Sequence, residues 1–221
     1  LPRVTMPRES LKNKITRTKE IIKLLKKNYP NAKCSLDYKT VHQLMVATIL
    51  SAQCTDERVN ATTPALFKKY RSMKNFAESN LKELGADIYS TGFHNSKAKS
   101  IKNSAIMLLE DFKGKIPKTL EELIKLPGVG RKTGSVVLGE GFKLAEGIVV
   151  DTHVGRISRH LGLTEEKDAV KVEKDLIKII EYADWIIFTH LMIDHGRAVC
   201  KARKPDCGNC FLRELCRTGR R

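Results

Sequence analysis

No apolar run in this sequence approaches the roughly 20 residues that a membrane-spanning helix needs. The N-terminal stretch LPRVTMPRESLKNK is basic and has no apolar centre, so it does not read as a secretory signal. The first residue is not Met, consistent with a short leader upstream. Internal repeats, low-complexity stretches and flexible linkers are absent; two lobes are plausible, but composition alone does not locate a boundary. Strand-like alternation is missing too, apart from the short apolar run Ile148-Val149-Val150. Acidic residues are scarce: Asp and Glu number 25 against 41 Lys and Arg, a formal charge of +16. Such an excess favours a polyanionic partner. On charge alone DNA, RNA and an anionic membrane all fit, as does a plain Lys-rich surface. Cysteine is nearly missing before residue 200: only Cys34 and Cys54 occur there, and four of the six crowd into residues 200–216. A disulfide framework would spread its cysteines along a smaller, secreted chain. Their clustering points instead to metal and a reducing compartment.

What is present is helical. The 221 residues suffice for one large domain or two modest ones. Leu11, Ile15, Ile22 and Leu25 fall at helical spacing, and Tyr29-Pro30 ends that segment. A second helix is expected over about 40–52, apolar on most sides and therefore buried. Thr55 caps a third, which Pro64 is expected to break or restart. Asn95 or Ser96 opens another, with Ile101, Ala105, Leu108 and Phe112 on one face. Thr119 and Glu122 have the spacing of a capping box, and a new helix is expected near Arg131. Helices over 152–161, 165–182 and 185–199 complete the set. In the second of these, Val172, Leu176, Ile179 and Ala183 form an apolar stripe.

Cys200, Cys207, Cys210 and Cys216 are spaced C-x6-C-x2-C-x5-C. Four thiolates suit a cubane iron–sulfur cluster or tetrahedral zinc. The spacing is neither the ferredoxin run nor paired zinc knuckles. Lys201, Arg203 and Lys204 lie between the first two cysteines, in a loop that could grip phosphates or simply be solvated. Cys34 and Cys54 read as small buried hydrophobes.

Residues 123–134 run Leu-Ile-Lys-Leu-Pro-Gly-Val-Gly-Arg-Lys-Thr-Gly: helix, tight turn, helix. Gly128 and Gly130 permit positive φ and close backbone approach. Backbone N–H groups at the start of the second helix favour an anion, and a DNA phosphate is the natural guest. Lys132 stands in the first turn, where the helix dipole and Arg131 disfavour an ammonium. An uncharged amine can attack an electrophilic carbon. Asp151 follows the apolar run and precedes a helix, so it reads both as an N-cap and as a carboxylate able to steady positive charge on a sugar.

LPGVGRKT, then VDTHV-x-R, then the four cysteines, resemble the endonuclease III family; LSAQCTD (50–56) and GFHNSKA (92–98) extend the likeness over roughly residues 15–216. The resemblance implies an all-α fold of two helical lobes flanking a DNA-binding cleft. One is a six-helix barrel with the helix–hairpin–helix motif, about 33–144. The other, combining 1–32 with 145–221, holds a [4Fe-4S] cluster on Cys200, Cys207, Cys210 and Cys216. It also implies a bifunctional DNA glycosylase and AP lyase acting on double-stranded DNA with damaged bases or abasic sites. By the resemblance, Gln53 would fill the space left by a flipped base and Phe93 would wedge into the stack. By the same resemblance Gly128, Val129, Gly130 and Arg131 would hold the DNA backbone, and the loop cations Lys201 and Arg203 are further candidate DNA contacts. The mechanism the resemblance implies has Lys132 attack C1′ of the sugar, Asp151 stabilise the oxocarbenium charge, and β-elimination nick the strand. The substrates implied are oxidised, ring-saturated or fragmented pyrimidines. A monomer is expected, with no membrane partner, either nucleoid-associated in a prokaryotic cytoplasm or nuclear or mitochondrial in a eukaryote.

The sequence departs from the family pattern at three places. Phe93 stands where Leu is usual, and core packing is its other reading. Gly134 replaces a usual Ala, and Gly155 a bulkier residue; both could loosen the pocket. Two cousins fit less well. An adenine glycosylase would carry a Glu in ATILSAQCTD and lack Lys132, and a mismatch thymine glycosylase would have Tyr at that position. A non-catalytic DNA-binding or redox module remains the alternative of another class, and Lys132 with Asp151 is what separates it from an enzyme.

Overall fold

The computed structural model describes residues 9–219; the basic N-terminal stretch up to residue 8, and residues 220 and 221, lie outside the described residues. Eleven α-helices follow in order among them: α1 (Leu11–Asn28), α2 (Val41–Leu50), α3 (Asp56–Lys69), α4 (Met73–Glu78), α5 (Leu81–Asp87), α6 (His94–Asp111), α7 (Leu120–Leu123), α8 (Arg131–Phe142), α9 (Thr152–Leu161), α10 (Ala169–Leu176) and α11 (Trp185–Ala198). Short 3₁₀ turns lie at Tyr89–Thr91, Tyr182–Asp184 and Arg213–Leu215. No strand occurs among the described residues; 148–150 carries no regular structure, and its Val149 carbonyl accepts from the Thr189 hydroxyl.

Most of these helices begin where a side chain can receive an orphan N–H. Ser10, Thr40, Thr55, Ser72, Asn80, Thr119, Asp151 and Asp168 each accept from the first turn that follows. Thr119 completes only half of the expected box. It accepts from the Glu122 N–H at 3.3 Å, but the Glu122 carboxylate takes the Thr119 hydroxyl at 2.8 Å.

Four expectations are corrected. Pro64 does not break α3: it sits inside the helix, on an exposed position. There the carbonyl it leaves without a donor can turn to water. The helix expected over 165–182 shrinks to α10. Thr164 receives the Glu166 N–H and Asp168 caps at Lys171, which holds the chain in a turn before the helix starts. Ala183 is exposed in the turn beyond and leaves the stripe, whereas Val172, Leu176 and Ile179 are buried. α6 starts at His94, one residue early, because Phe93 takes a left-handed N-cap conformation. Helices α4 and α5 were not foreseen. They are too short for a periodic signal, although Ser72 and Asn80 mark their starts.

The chain divides into two compact units, one contiguous over Cys34–Glu146 and one combining the described residues through Lys33 with those from Gly147 onward. The contiguous unit is built on α2, α6 and α8. All seven residues from Leu44 to Leu50 are buried, α2 packs on α6 and α8, and α4 and α5 pack on α6. Phe76, Leu84, Ile88, Ile101, Ala105 and Leu108 share its core. In the other unit α1 and α9 pack on α11, around Ile21, Leu25, Ile157, Leu161, Leu176, Phe188 and Met192. Each such aliphatic or aromatic side chain contributes about 1.5–3 kcal/mol when fully buried.

Candidate active site and cluster site

In the contiguous unit, α7 leads through Leu126 and Pro127 into the hairpin turn. Leu126 and Val129 are both buried and anchor it in the core. Gly128 has φ +79, and a Cβ there would lie 2.6 Å from Ser100 Cβ on α6, so only glycine fits. One turn further along α6, the Ser104 hydroxyl donates to the Pro127 carbonyl at 2.6 Å. The hairpin is thus pressed onto α6 and tied there.

Gly130 behaves differently from expectation. Its φ is −84, ordinary extended backbone, and it is the N-cap of α8. Nothing lies within 4 Å of where its Cβ would be, so the glycine keeps open space beside the backbone. The first-turn N–H groups of α8 have no acceptor within the helix, and no side chain caps them. An anion is favoured at that position. The Val129 N–H is used internally, donating to the Leu126 carbonyl at 3.0 Å. Its buried side chain leaves it only a carbonyl to offer a ligand. Arg131 and Lys132 are exposed on the first turn.

Gly134 lies deeper in α8 and faces α7. A Cβ there would lie 2.7 Å from Leu120 Cδ1. Leu120 already fills the space that the missing methyl would take, so this glycine does not loosen a pocket.

Two residues on neighbouring loops share a conformation that their side chains disfavour. Gln53 (φ 52) follows the end of α2, and Phe93 (φ 48) precedes α6. Both are exposed, Phe93 by 64%. Core packing is therefore ruled out for Phe93. A large apolar side chain held outward on a left-handed backbone is a costly arrangement, of the kind found at functional sites.

In the other unit, Asp151 is the N-cap of α9, its Oδ1 accepting from the Val154 N–H at 2.8 Å. That bond fixes the carboxylate and occupies one oxygen. Gly155 is buried one turn on, yet a Cβ would meet only ordinary contacts, 3.5 Å to Arg159 Nη1 and 3.7 Å to Val150 Cγ1. No structural feature there demands glycine.

All four C-terminal cysteines line one cavity, with Ile157, Leu161 and Leu212 beside them. Donors reach the sulfurs. Arg156 Nη1 lies 3.7 Å from Cys200 Sγ and also bonds the Cys200 carbonyl. The Gly219 N–H lies 3.3 Å from Cys216 Sγ, and His195 Nε2 lies 3.7 Å from Cys210 Sγ. Burial raises the pKa of the Cys200 and Cys210 thiols. A cationic cluster core reverses that by taking thiolates. Among the described residues no three His, Cys, Asp or Glu groups could hold a single metal ion. Four thiolates spread around an apolar cavity, three of them (Cys200, Cys210 and Cys216) within reach of a donor, fit the separate corners of a cluster.

His195 and Arg156 were missed in the sequence. His195 is 2% exposed, and burial with the nearby Arg156 cation pushes its pKa down to about 4. Its Nδ1 meets the Tyr29 hydroxyl at 3.1 Å. A thiolate at Cys210 can only accept, so the proton belongs on Nε2 and Tyr29 donates to Nδ1. Arg156 lay in the quoted VDTHV-x-R string; nothing local marked His195. Lys201 and Arg203 are exposed on the loop between the first two cysteines. Cys34 and Cys54 are half-buried against the core of their unit, and burial pushes the Cys34 thiol up to about 11.

Known proteins match both parts. Residues 46–182 fit the HhH-GPD superfamily of base excision DNA repair proteins, and residues 200–216 fit the iron–sulfur binding domain of endonuclease III. Endonuclease III of Synechocystis sp. is 52% identical, covering 92% of this chain and 93% of the relative. A solved non-covalent endonuclease III–DNA complex is 41% identical with a TM-score of 0.88, over 93% of this chain and 96% of that one. A trapped endonuclease III–DNA covalent intermediate gives 41% and 0.87, over 93% and 97%. With the hairpin, the capped carboxylate and the four-cysteine cavity in place, the chain belongs to the endonuclease III family: it is a base-excision DNA glycosylase and AP lyase that carries a [4Fe-4S] cluster.

Proposed function

We propose that this enzyme removes oxidised, ring-saturated or fragmented pyrimidines from double-stranded DNA and cuts the strand through a Schiff base on Lys132. Extruding the target costs a few kcal/mol, least for a base whose stacking is already damaged. Gln53 occupies the vacated space and Phe93 enters the stack. Gly128, Gly130 and Arg131 seat a phosphate at the start of α8, the Val129 carbonyl lines the turn, and Lys201 and Arg203 add cations. The Lys132 amine attacks C1′. The C1′–N bond breaks, and the base leaves with the electron pair and gains a proton. Asp151 offsets the oxocarbenium charge and takes the amine's proton. The sugar ring opens to an imine, a proton leaves C2′, and the 3′ phosphate departs by β-elimination. Held by Cys200, Cys207, Cys210 and Cys216, the cluster when bound pins the loop that carries Lys201 and Arg203.

The observation that carries this reading is the position of Lys132. It is exposed on the first turn of α8, directly after the hairpin end where an anion is favoured. The test is borohydride trapping on a thymine-glycol or abasic duplex. The unmodified enzyme should yield a covalent complex, and Lys132→Gln none. Undiminished trapping by Lys132→Gln would reject the nucleophile. Asp151→Asn should slow excision while leaving DNA binding nearly unchanged.

A further inference from the structure

We propose that Lys97 is a positioning residue that locks the Gln53 and Phe93 loops to one another, so that they enter the DNA stack as a single wedge. This rests on the insertion roles proposed above.

Lys97 is 6% exposed, in the first turns of α6. Its Nζ donates to two carbonyls, Leu50 O at 2.7 Å and Thr91 O at 2.8 Å. Leu50 is the last residue of α2, three before Gln53; Thr91 closes the 3₁₀ turn, two before Phe93. One buried amine therefore spans the roots of both loops. A cation also suits the carbonyl end of α2.

Nothing else about this site explains a buried lysine. Apolar burial would be served by Leu or Met without desolvating a charge. Burial lowers the pKa of Lys97, so the site resists the charge it holds. What the amine supplies is a fixed link between two segments whose backbones are both left-handed at the outward residue. Such conformations persist only where their surroundings over-determine them. The first loop has its own turns, with the Ser51 hydroxyl on the Thr48 carbonyl and the Cys54 N–H on Ser51. The second has Thr91 bonded back to Ile88. Each is locally shaped, and Lys97 sets the distance between them. The same helix carries Ser100 against Gly128 and Ser104 on Pro127, so α6 gauges the wedge and the hairpin together.

The cluster-loaded Lys97→Met enzyme keeps the stem and loses the donors. Single-turnover excision of thymine glycol from a fully paired duplex should fall about 10- to 100-fold, the cost of leaving charge-assisted bonds unmade. Lyase cutting of an abasic site in single-stranded DNA, where no stack must be opened, should change less than about twofold. Lys97→Gln, which can reach one carbonyl, should fall between. A folded Lys97→Met enzyme that loses both activities equally, or neither, overturns the proposal. If that variant does not fold, amide exchange on the unmodified enzyme decides: residues 51–54 and 91–94 should gain protection together when lesion duplex binds, and protection of one alone overturns the link. Should Gln53→Ala and Phe93→Ala leave duplex excision unchanged, the insertion roles fail rather than the bridge, which the exchange experiment still judges.

Discussion

At the scale of single residues, the glycines divide into those the fold demands and those it merely tolerates. Gly128→Ala would force a left-handed backbone on a residue with a Cβ and push that carbon against Ser100. We expect a loss of about 2–4 kcal/mol, the strain and overpacking together. Gly155→Ala meets only ordinary contacts within α9. It should stabilise the protein by up to about 1 kcal/mol, because alanine loses less backbone freedom in a helix. Urea denaturation followed by helical circular dichroism measures both. A destabilised Gly155→Ala protein would mean that Arg159 and Val150 cannot yield around the methyl. Backbone and neighbours together tell the two apart: Gly128 is left-handed with Ser100 Cβ 2.6 Å from where its Cβ would be, whereas the nearest atom at Gly155 is 3.5 Å away.

At the scale of elements, long helices were legible and short ones were not. The amphipathic spacing of α1 and the apolar length of α2 gave their positions to within two residues. The residues 165–168 carry a helix-compatible composition, but Thr164 and Asp168 use the local N–H groups before a helix can. Of the candidate site, residues in a contiguous string such as LPGVGRKT could be named from the sequence, while those that depend on a distant partner could not. His195 and Arg156 meet the cysteines, and Tyr29 meets His195, only in three dimensions. Arg156 links α9 to the first cysteine of the loop through both carbonyl and sulfur. Arg156→Met should therefore weaken cluster retention about 10-fold or more, as loss of an outer hydrogen-bonding partner does at metal sites. The measurement is the decay of visible absorbance during chelator challenge. A decay equal to that of the unmodified enzyme would leave Arg156 a purely structural clasp.

At the scale of the whole molecule, the formal charge of +16 sets the terms of binding. Each phosphate neutralised releases counterions, so the logarithm of affinity for undamaged duplex should fall with the logarithm of salt by about 0.9 per contact. Titration from low to moderate salt gives the slope directly, and a flat line would mean that the lysines and arginines serve solubility alone.

The two-unit division has a further consequence for how the protein comes into being. The unit over Cys34–Glu146 is contiguous, whereas the partners of α1 lie in α9 and α11. During synthesis the central unit can fold as soon as it leaves the ribosome, while α1, made first, must wait with Ile21, Ile22 and Leu25 uncovered. A cluster held by all four cysteines must wait for Cys216, which is made after every residue of the contiguous unit.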